Sequence, residues 1–146
     1  MMYKTSSAIA NKFIAKVDRE ASRLSVQLLF GIGKCVLDPT EKDGSEGYFE
    51  PPADRRLGTL AIAIGVPRSR WLHTLAHEYA HMIQWSRDDA VYLKWYKEPS
   101  EENYIALETY TEAEAKKLIE NFKLPCGDHR KRTREYLKFL RTRDES

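Results

Sequence analysis

Apolar positions first recur at helical spacing. Ile9, Phe13, Val17, Ala21 and Leu24 form a narrow stripe over residues 5–24, with charged residues opposite, which predicts a helix. Val26, Leu28, Phe30 and Ile32 then alternate with other residues through 25–37, a strand pattern weakened by Gly31 and Gly33. A polar loop is expected over 38–47, and residues 47–50 read as a short strand before Pro51-Pro52. Residues 57–64 form a short apolar run closed by Gly65, again a strand. From 67 to 85 the helical period returns through Leu72, Leu75, Ala76, Tyr79, Met82 and Ile83, with Pro67 suited to the first turn. Residues 88–98, with Tyr92, Trp95 and Tyr96, fit a short helix or an ordered loop. Ser100 is placed to cap a helix running to about residue 123, and Glu101 and Glu102 suit its first turn. Pro125 and Gly127 end it, and a last helix is expected over 130–141. The order predicts one α+β domain across 1–146, with a small mostly antiparallel or mixed sheet packed on the 67–85 helix.

Composition narrows the class without choosing a function. With 146 residues, 42% hydrophobic and 32% charged, the chain is long enough for one domain with a real core. A net charge of +2 argues neither for nor against an acidic partner. No apolar run approaches a membrane span, and residues 1–15 carry Lys4, Asn11 and Lys12 rather than a signal-peptide core. Cys35 and Cys126 lack CxxC spacing, so neither a zinc ribbon nor a disulfide framework is indicated. A cytoplasmic protein with reduced thiols is expected, with no membrane partner.

The chemistry sits in His77-Glu78-Tyr79-Ala80-His81. Histidines four apart share one helical face, about 6 Å apart along the axis. Both can bind one zinc ion, with Glu78 beside the open position, where a carboxylate can take a proton from a zinc-bound water. A third ligand is needed. His73 lies on the same face but about 12 Å from His81 along the axis, too far to share an ion. The remaining candidates are His129 and the acidic residues of the helix after Ser100. At 100° per residue, Glu114 lies within roughly 40° of Leu107, Tyr110 and Leu118, at the border of an apolar face. Glu108 competes, flanked by Ala115, Ile119 and Phe122, whereas Glu112 falls opposite Glu114, beside Ile105. Periodicity leaves Glu114 and Glu108 close.

Residues 110–125, Tyr-Thr-Glu-Ala-Glu-Ala-Lys-Lys-Leu-Ile-Glu-Asn-Phe-Lys-Leu-Pro, resemble the second motif of glutamate-zincins, especially the ImmA/IrrE-like metallopeptidases. There, the HExxH motif is followed by a helix reading roughly E-A-x-x-(apolar)-A-x-x-L-(apolar)-x-P, whose first glutamate is the third zinc ligand. Matching Glu114-Ala115, Leu118, Phe122 and Pro125 gives that role to Glu114. The likeness covers about residues 57–125; Lys116, Lys117 and Asn121 depart from the usual pattern. It implies a zincin-like fold and a zinc-dependent endopeptidase: Zn²⁺ held by His77, His81 and Glu114, Glu78 as general base, and a protein or peptide substrate. Oxyanion help in such enzymes comes from a downstream His or Tyr, for which Tyr110, His129 and Tyr136 are candidates. The 57–64 strand could offer an edge to an extended substrate.

Two rival functions differ in class. A zincin-like regulatory or binding module would cleave nothing, but a pure binding site has no need of Glu78. A SprT-like DNA-associated protease would use the basic tail, His129-Arg-Lys-Arg-Thr-Arg134 with Lys138, Arg141 and Arg143, to touch phosphate. Those enzymes use a third histidine, and a basic terminal helix is more often a solvated face. On this reading the tail, lying after the Pro125–Gly127 break, is dispensable for zinc.

Overall fold

The computed structural model of the chain describes residues 2–36 and 44–145, with side chains over 6–36 and 44–142. It is α+β: α1 (Met2–Arg23), β1 (Val26–Gly31), β2 (Gly47–Glu50), β3 (Gly58–Ala63), α2 (Arg68–Ser86), α3 (Ala90–Lys97), α4 (Glu101–Phe122) and α5 (His129–Glu145). The expected polar loop at 38–47 lies mostly outside the described residues. No helix among the described residues is long and apolar enough to cross a membrane.

The sheet is mixed, in the order β1-β3-β2, with β1 parallel and β2 antiparallel to β3. The apolar run at 57–64 is therefore the central strand, paired on both sides, and has no edge to offer a substrate. That expectation is corrected: among the described residues, β2 is the strand that ends the sheet on one side. Glu46 accepts from the Ala63 amide at 2.8 Å, and the register pairs Tyr48 with Ala61. By antiparallel alternation, the amide groups of Gly47 and Phe49 turn away from β3.

Alternation along β3 sends Leu60 and Ile62 into the core shared with α1 and α2. Phe13, Val17 and Ala21 of α1 meet Leu72, Leu75, Ala76, Tyr79 and Met82 of α2 there, and Ala115 and Ile119 of α4 close it. Each large buried side chain contributes about 1.5–3 kcal/mol. Phe13 and Tyr79 meet edge to face, 5.7 Å apart and 87° between planes, a favoured aromatic geometry.

One stripe of α2 is thus apolar and faces the sheet and α1. Its other buried stripe, His73, His77 and Gln84, is polar. Buried polar groups persist when partnered, and the partners come from α4, which Ser100 starts by accepting from the Asn103 amide at 3.0 Å. Lys123, in the left-handed conformation at φ 53°, ends α4 and turns the chain toward α5.

Candidate metal centre

His77 and His81 point their Nε2 atoms at one oxygen of Glu108. The His81 Nε2 to Oε2 distance is 3.0 Å and the His77 Nε2 to Oε2 distance is 3.3 Å. All three donor atoms lie within 4.8 Å of one another. Four tetrahedral donors at 2.0–2.1 Å from zinc stand about 3.3 Å apart, so the separations and the N/N/O donor set fit a zinc site.

The carboxylate beside the histidines is Glu108, not the Glu114 expected from the resemblance. The buried face of α4 runs through Leu107, Glu108, Thr111, Glu112, Ala115 and Ile119. At 100° per residue Glu114 is roughly 120° around from Glu108. It is only partly buried and stands near the Tyr110 hydroxyl, which donates to Asp89.

The outer nitrogens of the two histidines are also held. His77 Nδ1 donates to Glu112 Oε2 at 2.9 Å, and His81 Nδ1 donates to Gln84 Oε1 at 3.1 Å. Gln84 in turn donates to Thr111 Oγ1 at 3.1 Å. With each Nδ1 proton held, Nε2 is the nitrogen of each ring that faces Glu108 and that would give up its proton to bind a metal. Glu112 is thus buried and engaged, contrary to its expected place beside Ile105 away from the site.

His73 reaches Glu112 Oε2 at 3.4 Å through Nε2 and accepts from Arg132 Nε at 3.3 Å through Nδ1. It supports a carboxylate and lies outside the three-donor cluster, in keeping with its axial distance from His81. Thr133 donates to Glu112 Oε1 at 3.1 Å, and Tyr136 donates to Glu108 Oε1 at 2.5 Å. Arg132 also donates to the Ser69 and Cys126 carbonyls. The basic terminal helix is therefore built into the site. The expectation that the tail stands apart from the ligand set is corrected in its geometry: Arg132, Thr133 and Tyr136 lie on the face of α5 turned to α2 and α4.

The electrostatics follow from burial and proximity. Burial alone would raise the Glu108 carboxyl, yet the facing His77 and His81 hold it well below the usual range. Burial alone would lower His77, but Glu108 and Glu112 outweigh it and the imidazole binds its proton far more tightly than usual. Glu112 is depressed because hydrogen bonds from His73 and His77 overcome its burial. The Tyr136 phenol is pushed up by burial and by Glu108. Two carboxylates facing one imidazole form an anionic cage suited to a cation.

Glu78 is buried next to His77 and lines a cleft of about 930 Å³ together with β2, His73, His81 and Tyr136. Gly47 lets β2 close over it: a Cβ there would stand 2.7 Å from Thr74 Cγ2, 3.0 Å from the Ala61 carbonyl and 3.2 Å from Glu78 Cγ. Of the three oxyanion candidates, only Tyr136 lines the cleft. Tyr110 donates to Asp89 at 2.8 Å, and His129 packs edge-on to His73 with centroids 6.2 Å apart. Gln84 and Thr111 were missed in the sequence and Glu112 was placed on the opposite side; the available signals were Gln84 one turn after His81, and Thr111 and Glu112 one turn after Glu108.

Compared with protein-family models, curated proteins and solved structures, the chain matches none, so functional inference rests on this geometry.

Proposed function

We propose that this chain is a zinc-dependent peptidase with a zincin-like fold, in which His77, His81 and Glu108 hold the metal and Glu78 is the general base. The observation carrying the reading is the convergence of two imidazole Nε2 atoms on one buried carboxylate oxygen, with both outer nitrogens anchored. Zinc bound there would supply Lewis acidity, polarising a peptide carbonyl and acidifying water.

The chain's own groups supply the rest. Glu78 follows a ligand on the same helix and lies in the cleft, where it can take a proton from water and return it to the leaving amine. Tyr136 keeps Glu108 oriented through its 2.5 Å hydrogen bond. The Gly47 amide and both Phe49 backbone groups turn outward along the cleft, while Ser45 Oγ donates to the Gly47 carbonyl at 2.8 Å, so an extended peptide can add to β2 as a further strand. Strand addition holds a substrate main chain regardless of its side chains, which suits an endopeptidase.

The test is Glu78→Gln. An amide of nearly the same size cannot accept and return a proton at neutral pH. The variant should bind zinc as the wild type does while peptide cleavage falls by about 10²–10⁴-fold. Equal turnover by both proteins would refute the assigned base.

A further inference from the structure

The cleft beside the metal centre has an aromatic wall that the chemistry above does not use. Tyr92 of α3 lies 6.3 Å from His81, ring centre to ring centre. Tyr96 stacks on Tyr92 at 6.4 Å with 12° between planes, and Trp95 meets Tyr92 at 5.9 Å. Phe139 of α5 lines the same cleft. Tyr96 is 62% and Phe139 56% exposed, although both are large apolar side chains. Water-facing aromatic rings in a concave site are the usual lining for an apolar ligand group.

The charged groups of the cleft are largely matched within the chain. Arg56 pairs with Glu50 at 2.6 Å, and Arg70 pairs with Glu46 at 2.7 Å. Arg132 is turned onto His73 and two carbonyls. An acidic substrate side chain would find each of these arginines engaged. Glu135, on the exposed side of α5, is the remaining carboxylate that lines the cleft.

We propose that this cleft selects a large apolar side chain, aromatic or aliphatic, received by Trp95, Tyr96 and Phe139. The inference rests on the peptidase reading of the same site and adds the substrate class. Tyr96 is two ring contacts from His81, and a strand advances about 3.3 Å per residue. The selected residue therefore falls within about four residues of the bond that is cut.

The experiment uses the full-length zinc-loaded protein and a positional-scanning library of uncharged extended peptides. Cleavage by the wild type and binding by Glu78→Gln are read side by side. Phe, Tyr, Leu and Met should be enriched at one position near the cut. The kcat/KM ratio for a Phe peptide over its Ala counterpart should fall at least about tenfold in the Tyr96→Ala, Phe139→Ala double variant. Zinc content of that variant checks its fold. Enrichment of Lys or Arg would overturn the inference in favour of Glu135 while leaving the peptidase reading intact, as would an unchanged ratio. Apolar enrichment in binding without cleavage would support the wall and refute the peptidase. Neither cleavage nor selective binding would overturn both.

Discussion

Replacing Glu112 by Ala should weaken zinc binding without removing a ligand. Glu112 accepts from His77 Nδ1 at 2.9 Å, contacts His73 at 3.4 Å and accepts from Thr133 at 3.1 Å. The first of these bonds holds a proton on Nδ1 and so reserves Nε2 for the metal; its loss frees the His77 ring to rotate and to present the wrong nitrogen. Removing such a support lowers metal affinity about 10–100-fold, or about 1.4–2.7 kcal/mol. Competition titration against a zinc chelator at neutral pH measures the change directly. Glu112→Gln should recover part of it, because the amide oxygen still accepts from Nδ1 although the charge is gone. Affinity unchanged in the Ala variant would refute the argument that Glu112 sets the ring. So would a Gln variant as weak as Ala, which would leave only charge.

Three further outcomes are expected. Gly47→Ala should destabilise the protein by about 1–3 kcal/mol through crowding against Thr74, the Ala61 carbonyl and Glu78, read as a lowered Tm; an unchanged Tm would show that β2 yields freely. Ending the chain after Cys126 should weaken zinc binding in whatever fraction stays folded, because Tyr136 and Thr133 no longer hold Glu108 and Glu112; full affinity would show that α5 is a bystander. Tyr79→Phe should cost about 0.5–1.5 kcal/mol by removing the hydroxyl that donates to Glu20, with a definite pH window. The Glu20 carboxyl is lowered by Tyr79 and Lys16 against the effect of burial, so its share of stability is present above about pH 4.5 and lost as pH falls through the depressed value. The Tyr79 phenol is raised by burial and by Glu20, so its share is present below about pH 10 and lost as pH rises through the raised value. The gap between wild type and variant in chemical denaturation should be widest between those limits; a gap that grows toward acid would contradict the sign.

Much of the fold was legible because periodicity reports burial. The stripe that became α1, the apolar run that became β3 and the stripe that became α2 each place side chains on a face that the structure buries. The strand order was not legible, since pairing depends on partners distant in sequence. That is why β3 was read as a free edge when it is the centre of the sheet. The two histidines of the site were plain from a fixed local spacing. The third group was not, because ranking α4 by its apolar residues locates the hydrophobic core, whereas the face turned to α2 is partly polar. Glu108, Thr111 and Glu112 are buried there by the His77 and His81 side of α2, an environment contributed by another helix. Arg132 and Thr133 were hidden for a related reason. In a run of Arg and Lys, local composition does not distinguish the arginine that bonds His73 from its neighbours in water.

Whether His77, His81 and Glu108 hold zinc is measured most directly by the zinc content per chain after purification without added metal. Wild type and Glu114→Ala should each carry about one zinc, and Glu108→Ala should lose it while remaining folded by circular dichroism. Zinc retained by Glu108→Ala and lost from Glu114→Ala would contradict the account and return the ligand to the other side of α4.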